Sequence, residues 1–255
     1  MKRVSITDIE HDSWAPGIPQ HTTAGKIELG AIHGVLPFNG RRNPITPSSI
    51  SHKVSFTYRT AANSWRLRVG FAESGAEYAA GLQALIATTI HDVEFQPVEI
   101  TYLCPMTSRT RQHTIDIRLT FRSGLRRLLF VRNRHSLTKP QTEAEIATIR
   151  SAAQESHGHE LHVVDADAFS RPRRDNLRRM YWYIIEEPDP VTDEIVLDTA
   201  QHLHTLWLIS DLQKAIALPR GRVMKSCLRL IGRRQLQADP DAVICEHSRI
   251  WRPEP

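Results

Sequence analysis

TRQHTIDIRLTFRSGLRRLLFVRNR, residues 110–134, decides how this chain is read. In its first half Ile115, Ile117, Leu119 and Phe121 alternate with Thr114, Asp116, Arg118 and Thr120. A period of two marks a strand with one buried face. Ser123-Gly124 offers a turn, and residues 128–131 read as an apolar strand coming back. The unit is a β-hairpin whose polar face has a single carboxylate, Asp116. From Arg109 to Lys139 the chain has nine Lys or Arg and that one acid. A lone Asp on a basic hairpin suits a nuclease site, or what remains of one.

Counting across the turn shows what should face Asp116. It stands seven residues before Ser123, so its partner is expected seven residues after it, at Phe130, with Arg132 next on the same face. A metal-dependent phosphodiesterase needs two or three carboxylates around Mg²⁺ and gains from a lysine near the attacked phosphate. A working hairpin would have Glu or Gln at 130 and Lys at 132. Phe130 cannot coordinate a cation, and Arg132 keeps a charge but is a poor proton acceptor.

Upstream, residues 1–50 contain five prolines and no sustained periodicity, as expected of an irregular arm, with Trp14 and Phe38 as candidates to pin it to the body. Residues 53–58 (KVSFTY) and 65–69 (WRLRV) alternate as short strands joined around Ala62-Asn63-Ser64. Residues 73–90 predict a helix with Tyr78, Leu82, Leu85 and Ile86 on its buried stripe and with Glu73 and Glu77 on one face. Residues 95–103 (FQPVEITYL) predict an edge strand, Pro97 being tolerated there.

Downstream, Thr142-Glu-Ala-Glu145 has the pattern of a capping box, opening a helix to about residue 156. A short strand at 161–164 and a helix at 175–186 with Tyr181, Trp182 and Tyr183 follow. Pro188-Asp189-Pro190 is the best boundary, because a residue before proline is pushed out of the α region. Three helices are then expected, at about 192–204, 205–217 and 221–233, and two short strands at 235–237 and 248–251. Three helices and a small hairpin form the winged-helix pattern, whose third helix enters a DNA groove in such folds.

The 255 residues allow two domains, and 40% hydrophobic content is enough for real cores. No apolar run reaches the length of a membrane helix, and the first residues lack a secretory segment, so a cytoplasmic protein with no membrane partner is expected. Cys104, Cys227 and Cys245 have no metal or redox spacing and are expected to be reduced. The net charge is +5, and its distribution says more than its size. Arginines gather in the hairpin, in RPRRDNLRR (171–179) and in the acid-free PRGRVMKSCLRLIGRR (219–234). Three such clusters point to a polyanion, and DNA is the expected partner.

Several stretches resemble, in order, those of TnsA, the endonuclease subunit of heteromeric transposases. FAESGAEY (71–78) is similar to that family's Glu-Ser-x-x-Glu helix start, which places Glu77 at the catalytic glutamate. EFQP (94–97) is similar to its Gln-Pro strand start, and HTIDIRL (113–119) takes the place of its Pro-Asp strand, with Asp116 at the metal-binding aspartate. RPRRDNLRRMYWY (171–183) resembles the helix closing its nuclease domain, and residues 228–251 resemble its winged-helix end.

The resemblance covers roughly residues 50–251. It implies an α/β fold: a restriction-endonuclease-like (PD-(D/E)XK) core over 51–187 and a C-terminal helical winged-helix domain over 191–255, after an arm at 1–50. It departs at Phe130-Val131-Arg132, where the family has Glu or Gln, any residue, then Lys, and at Ile115, where it has Pro.

Glu77, Asp116, Phe130 and Arg132 are therefore expected to be a vestigial site with no catalytic residue and no metal. Mg²⁺ or Mn²⁺ would serve only an active nuclease, held by Glu77 and Asp116 with Glu99 as a further candidate ligand. The plainer reading pairs Glu77 with Arg66 or Arg68, and Asp116 with Arg118 or Arg132. Arg118, Arg126, Arg127, Arg171, Arg173, Arg174, Arg222, Lys225, Arg229, Arg233 and Arg234 are the candidate DNA contacts. His157, His159 and His162 lack the companions of a zinc site and suit a helix C-terminus instead. A transposase or ATPase is the candidate protein partner, and the role expected is regulation or scaffolding in a mobile element or phage.

Overall fold

The computed structural model describes residues 30–45, 53–154, 156–204 and 206–253; Trp14 lies outside them. Phe38 does meet the body, its ring 4.7 Å from that of Phe71. β1 (Val54–Tyr58) and β2 (Arg68–Ala72) pair antiparallel, Val54 opposite Ala72. β2 starts later than the alternation at 65–69 suggests. Ser64 and Trp65 have φ of 56° and 59°, and the Asn63 side chain accepts from the Thr60 N–H at 3.0 Å, so a turn consumes the start of that stretch.

α1 (Gly75–Leu85) opens on Ser74, whose hydroxyl accepts from the Glu77 N–H at 3.1 Å. The helix expected through residue 90 stops short, and Ile90–Phe95 forms a strand, β3, that the helical reading had absorbed. Its inward residues Val93 and Phe95 alternate with Asp92 and Glu94, a period of two that outweighs helix propensity.

β4 (Glu99–Leu103) and β5 (Thr110–Thr114) form a two-stranded arm, and β6 (Ile117–Phe121) pairs antiparallel with β3. The two pairings are one long hairpin with a break in the middle. At the break Gln96 has φ of 52°, its N–H donates to the Asp116 carbonyl at 2.9 Å, and the Ile115 N–H donates to the Val98 carbonyl at 2.9 Å. The strand expected over 95–103 is thus two strands flanking Gln96-Pro97. The break also re-aims side chains, as bulges do. Ile117 and Leu119 enter one hydrophobic cluster and Ile115 enters another, so the common face expected for the three residues does not exist. Asp116 is buried at that break instead of standing on a polar face.

β7 (Arg126–Arg132) returns antiparallel to β6 with Ile117 opposite Leu129, the register that counting across the turn expects, and Asp116 lies one residue before the ladder, level with Phe130. A short α2 (Arg134–Leu137) and α3 (Pro140–Ala152) cross over to β8 (Glu160–Asp165), which runs parallel to β7. The sheet order is β3-β6-β7-β8. α3 begins at Pro140 with Lys139 as its cap and no side-chain cap bond, so Thr142 and Glu145 form no capping box. Proline's fixed φ suits the first helical position and starts the helix earlier.

α4 (Arg171–Tyr181) runs into a π-helical turn, Trp182–Glu186. α5 (Pro190–His202) starts on Asp189, which accepts from the Thr192 N–H and hydroxyl at 3.2 and 2.7 Å. α6 (Ile209–Ala215) and α7 (Arg220–Gly232) follow, and the two tail strands shrink to single bridges, Gln237 with Trp251 and Leu208 with Arg249. The chain is mixed α/β. Its break at 188–190 separates helices but not cores, because Val196, Leu212, Val223, Leu228 and Ile250 share one cluster with Leu82, Phe95, Leu119 and Met180. Among the described residues no helix is long and apolar enough to cross a membrane.

Candidate functional site: a buried carboxylate pair

Glu77 comes from the first turn of α1 and Asp116 from the break before β6, and both are almost sealed, at 2% and 4% exposure. The Gln96 amide stands between them. Its Nε2 donates to Glu77 Oε1 at 2.9 Å, and the same side chain reaches Asp116. The Glu73 N–H donates to Glu77 Oε2 at 2.8 Å, and the Val131 N–H donates to Asp116 Oδ2 at 2.7 Å. Arg132 Nη1 is 3.9 Å from Asp116 Oδ2, the ion pair expected for this aspartate, whereas Arg118 is taken by Glu94. Glu77 is not the exposed residue paired with Arg66 or Arg68 that the plainer reading expects. Helix α1 turns it inward, onto Gln96.

Burial and then the neighbouring Asp116 charge hold the Glu77 carboxyl well above the usual carboxylate range. Burial raises Asp116 as well, partly offset by Arg132, the Val131 N–H and Arg42. Lys53, just before β1, is lowered by burial and by Arg42, and it faces Glu77. On the far side His113 stacks on Phe130 with ring centroids 4.7 Å apart, and burial followed by Arg132 pushes it down to about 4. Its Nε2 is buried without a hydrogen-bond partner. The site is therefore two acids that resist ionising together and a neutral imidazole, ringed by Arg42, Lys53 and Arg132.

A divalent cation at this pair would need oxygen donors. Gln96 is fully buried and its Oε1 has no partner, so with two carboxylates it offers a third oxygen. The charges around it argue the other way, because Arg132 and Arg42 already act on Asp116. Phe130 is 1% exposed and held in the second cluster with Ile100, Ile115 and Ile149, and the Arg132 guanidinium lies 4.1 Å above its ring. As arranged, the site does not fit Mg²⁺. Glu99 is exposed on β4, where it accepts from Thr114 at 3.4 Å.

The candidate DNA contacts are scattered and largely engaged. Arg229 is 1% exposed and tied to Asp193 at 2.7 Å, and residues 226–230 are buried on all sides. This removes Arg229 from the set and leaves the exposed first turn of α7, with Arg220 and Arg222, as the part of that helix open to a partner. The cause is packing: α7 lies between α5 and α6 on one side and α4 with its π turn on the other. Around it Arg222 pairs with Asp189, Lys225 with Glu187 and Arg233 with Asp193. Arg118 holds Glu94 and Arg127 holds Glu160, while Arg126 Nη1 donates to the Ser156 carbonyl. Arg173 pairs with Asp241. Arg174 is exposed and donates to the Phe169 carbonyl, and Arg171 and Arg234 are exposed.

The three histidines go to separate partners: His157 Nδ1 accepts from the Gln154 N–H, His159 Nδ1 accepts from the Arg126 N–H, and His162 pairs with Glu160. Reading the sequence missed Gln96, Arg42, Lys53 and His113. The Gln-Pro dipeptide was the available signal for the first, and nothing local marks the others. Comparison with models of known protein families finds no match, and comparison with curated proteins finds none either.

Proposed function

We propose that this chain is a DNA-binding protein of TnsA type, built on a restriction-endonuclease-like core that has lost hydrolysis, with a winged-helix C-terminal part. The order helix, three antiparallel strands, helix and parallel strand, given by α1, β3, β6, β7, α3 and β8, is the one expected of that core. α5, α6 and α7 with the bridges at Leu208–Arg249 and Gln237–Trp251 follow the winged-helix order. One observation carries the loss of activity. Asp116 stands one residue before the ladder that begins at Ile117 and Leu129, level with Phe130, and its ion-pair partner is Arg132, so a buried ring and a guanidinium stand where a ligand and a lysine would serve.

DNA contact then falls to exposed arginines such as Arg171, Arg174 and Arg234. Titrating labelled duplex DNA at salt from about 50 to 200 mM should give affinity falling with a slope near 0.9 per phosphate contact. Replacing those three arginines by Ala should reduce the slope by about 3. Binding that ignores salt, or no binding to any duplex, would sink the reading. Plasmid cleavage with Mg²⁺ or Mn²⁺, abolished by Asp116→Ala, would replace it with an active endonuclease of a transposase. The enclosure of α7 favours a second reading for the C-terminal part, as a module that contacts a transposase or ATPase. Capture of such a partner, unaffected by nuclease treatment, would support it.

A further inference from the structure

The segment at residues 36–45 is laid across the carboxylate pair. It is anchored at one end by Leu36, whose N–H donates to the Leu67 carbonyl at 2.8 Å and whose carbonyl accepts from the Val69 N–H at 3.0 Å. Ile45 anchors the other end, buried with Val69 and Phe71. Between them the Arg41 N–H donates at 2.7 Å to the carbonyl of Gln96, the residue that bridges the two acids. Gly40 makes that approach possible: a Cβ there would lie 2.6 Å from the Phe95 carbonyl oxygen and 2.2 Å from the Phe38 ring. The next residue, Arg42, forms an ion pair with Glu73, whose own N–H holds Glu77.

We infer that residues 36–45 are a plug over the carboxylate pair, and that Arg42 supplies from the protein's own chain the positive charge a divalent cation would otherwise bring. The plug accounts for a site that offers three oxygens yet is closed to Mg²⁺. A guanidinium has no vacant coordination position and cannot polarise water as a metal does, so it stabilises the buried acids without restoring chemistry. Neither DNA binding nor the winged-helix assignment bears on it.

Mn²⁺ titrations of the full-length chain, followed by calorimetry and by the electron paramagnetic resonance of free Mn²⁺, test the plug. Arg42→Ala should bind Mn²⁺ about tenfold or more tighter than the wild type, because a repelling charge next to the site is gone. Adding Asp116→Asn should abolish the gain, and Arg42→Lys, which keeps the charge, should not show it. Gly40→Val, which unseats the segment without touching a charge, should reproduce the Arg42→Ala result and decides the matter if Arg42→Ala does not fold. Equal Mn²⁺ affinity in wild type and folded variants, absence of binding in all of them, or a gain that survives Asp116→Asn would overturn the plug.

Discussion

Asp116 and Asp193 are both aspartates sealed from solvent beside arginines, and the fold treats them differently. Asp193 accepts from Arg229 Nε at 2.7 and 3.0 Å, from Arg233 at 2.8 Å and from Ser226 at 2.8 Å. Four short bonds from three side chains satisfy it, as a buried ion must be to survive. Asp116 has one short backbone bond, an arginine at 3.9 Å and a second acid across Gln96. The first arrangement fastens α5 to α7. The second stores unfavourable charge in the interior, which a protein built for stability alone would avoid. A buried, poorly compensated pair of acids is the kind of arrangement that marks a candidate functional site.

The largest test of this contrast is Asp193→Ala. It leaves Arg229 buried with its main partner gone and should cost about 3–5 kcal/mol in urea unfolding. A loss below about 1 kcal/mol would mean that the joint is not what holds α5 and α7 together. Replacing both partners, with Asp193→Leu and Arg229→Met, should recover most of that loss, since neither charge then needs solvation.

Asp116→Asn should act in the opposite direction. It removes one of two like charges and brings an amide donor to the unpartnered Gln96 Oε1. A gain on the order of 1 kcal/mol, or about 2–4 °C in Tm, is expected at pH 8. The sign follows from the raised pKa values of Glu77 and Asp116. A carboxyl whose folded pKa exceeds its unfolded value binds its proton more tightly when folded, so the wild type gains stability as pH falls through the folded value. The advantage of Asp116→Asn should therefore shrink as pH falls and vanish below the ordinary carboxylate range, which matched melts across pH would show. His113, lowered to about 4, works against that gain, because protonation between about 6.5 and 4 favours the unfolded chain. The smallest effect belongs to Arg222→Ala. Its pair with Asp189 is exposed and screened by solvent, so its loss should leave the unfolding midpoint nearly where it was.

The hairpin was legible because its evidence is local. Alternation marks β6 and β7, Ser123-Gly124 marks the turn, and counting then places Phe130 opposite Asp116. The break at Gln96 was not legible, since a left-handed residue before proline leaves no trace in hydrophobic pattern. With it went the burial of Asp116 and the true side of Ile115. Arginine clusters on the sequence suggested free cations, yet Arg222, Lys225, Arg229 and Arg233 all find acids 33–40 residues away. Spacing along the chain says nothing about such pairing. Arg42 was hidden for the same reason: its role depends on where a proline-rich arm happens to lie.

The unbroken core across residue 188 has a mechanical side. α7 packs on α4 and its π turn, where an added Cβ at Gly232 would come within 2.7 Å of Ile184 and 3.3 Å of Met180, and α4 packs on α1, which holds Glu77. One continuous train of packed helices therefore runs from the C-terminal part of the chain to the helix that carries Glu77.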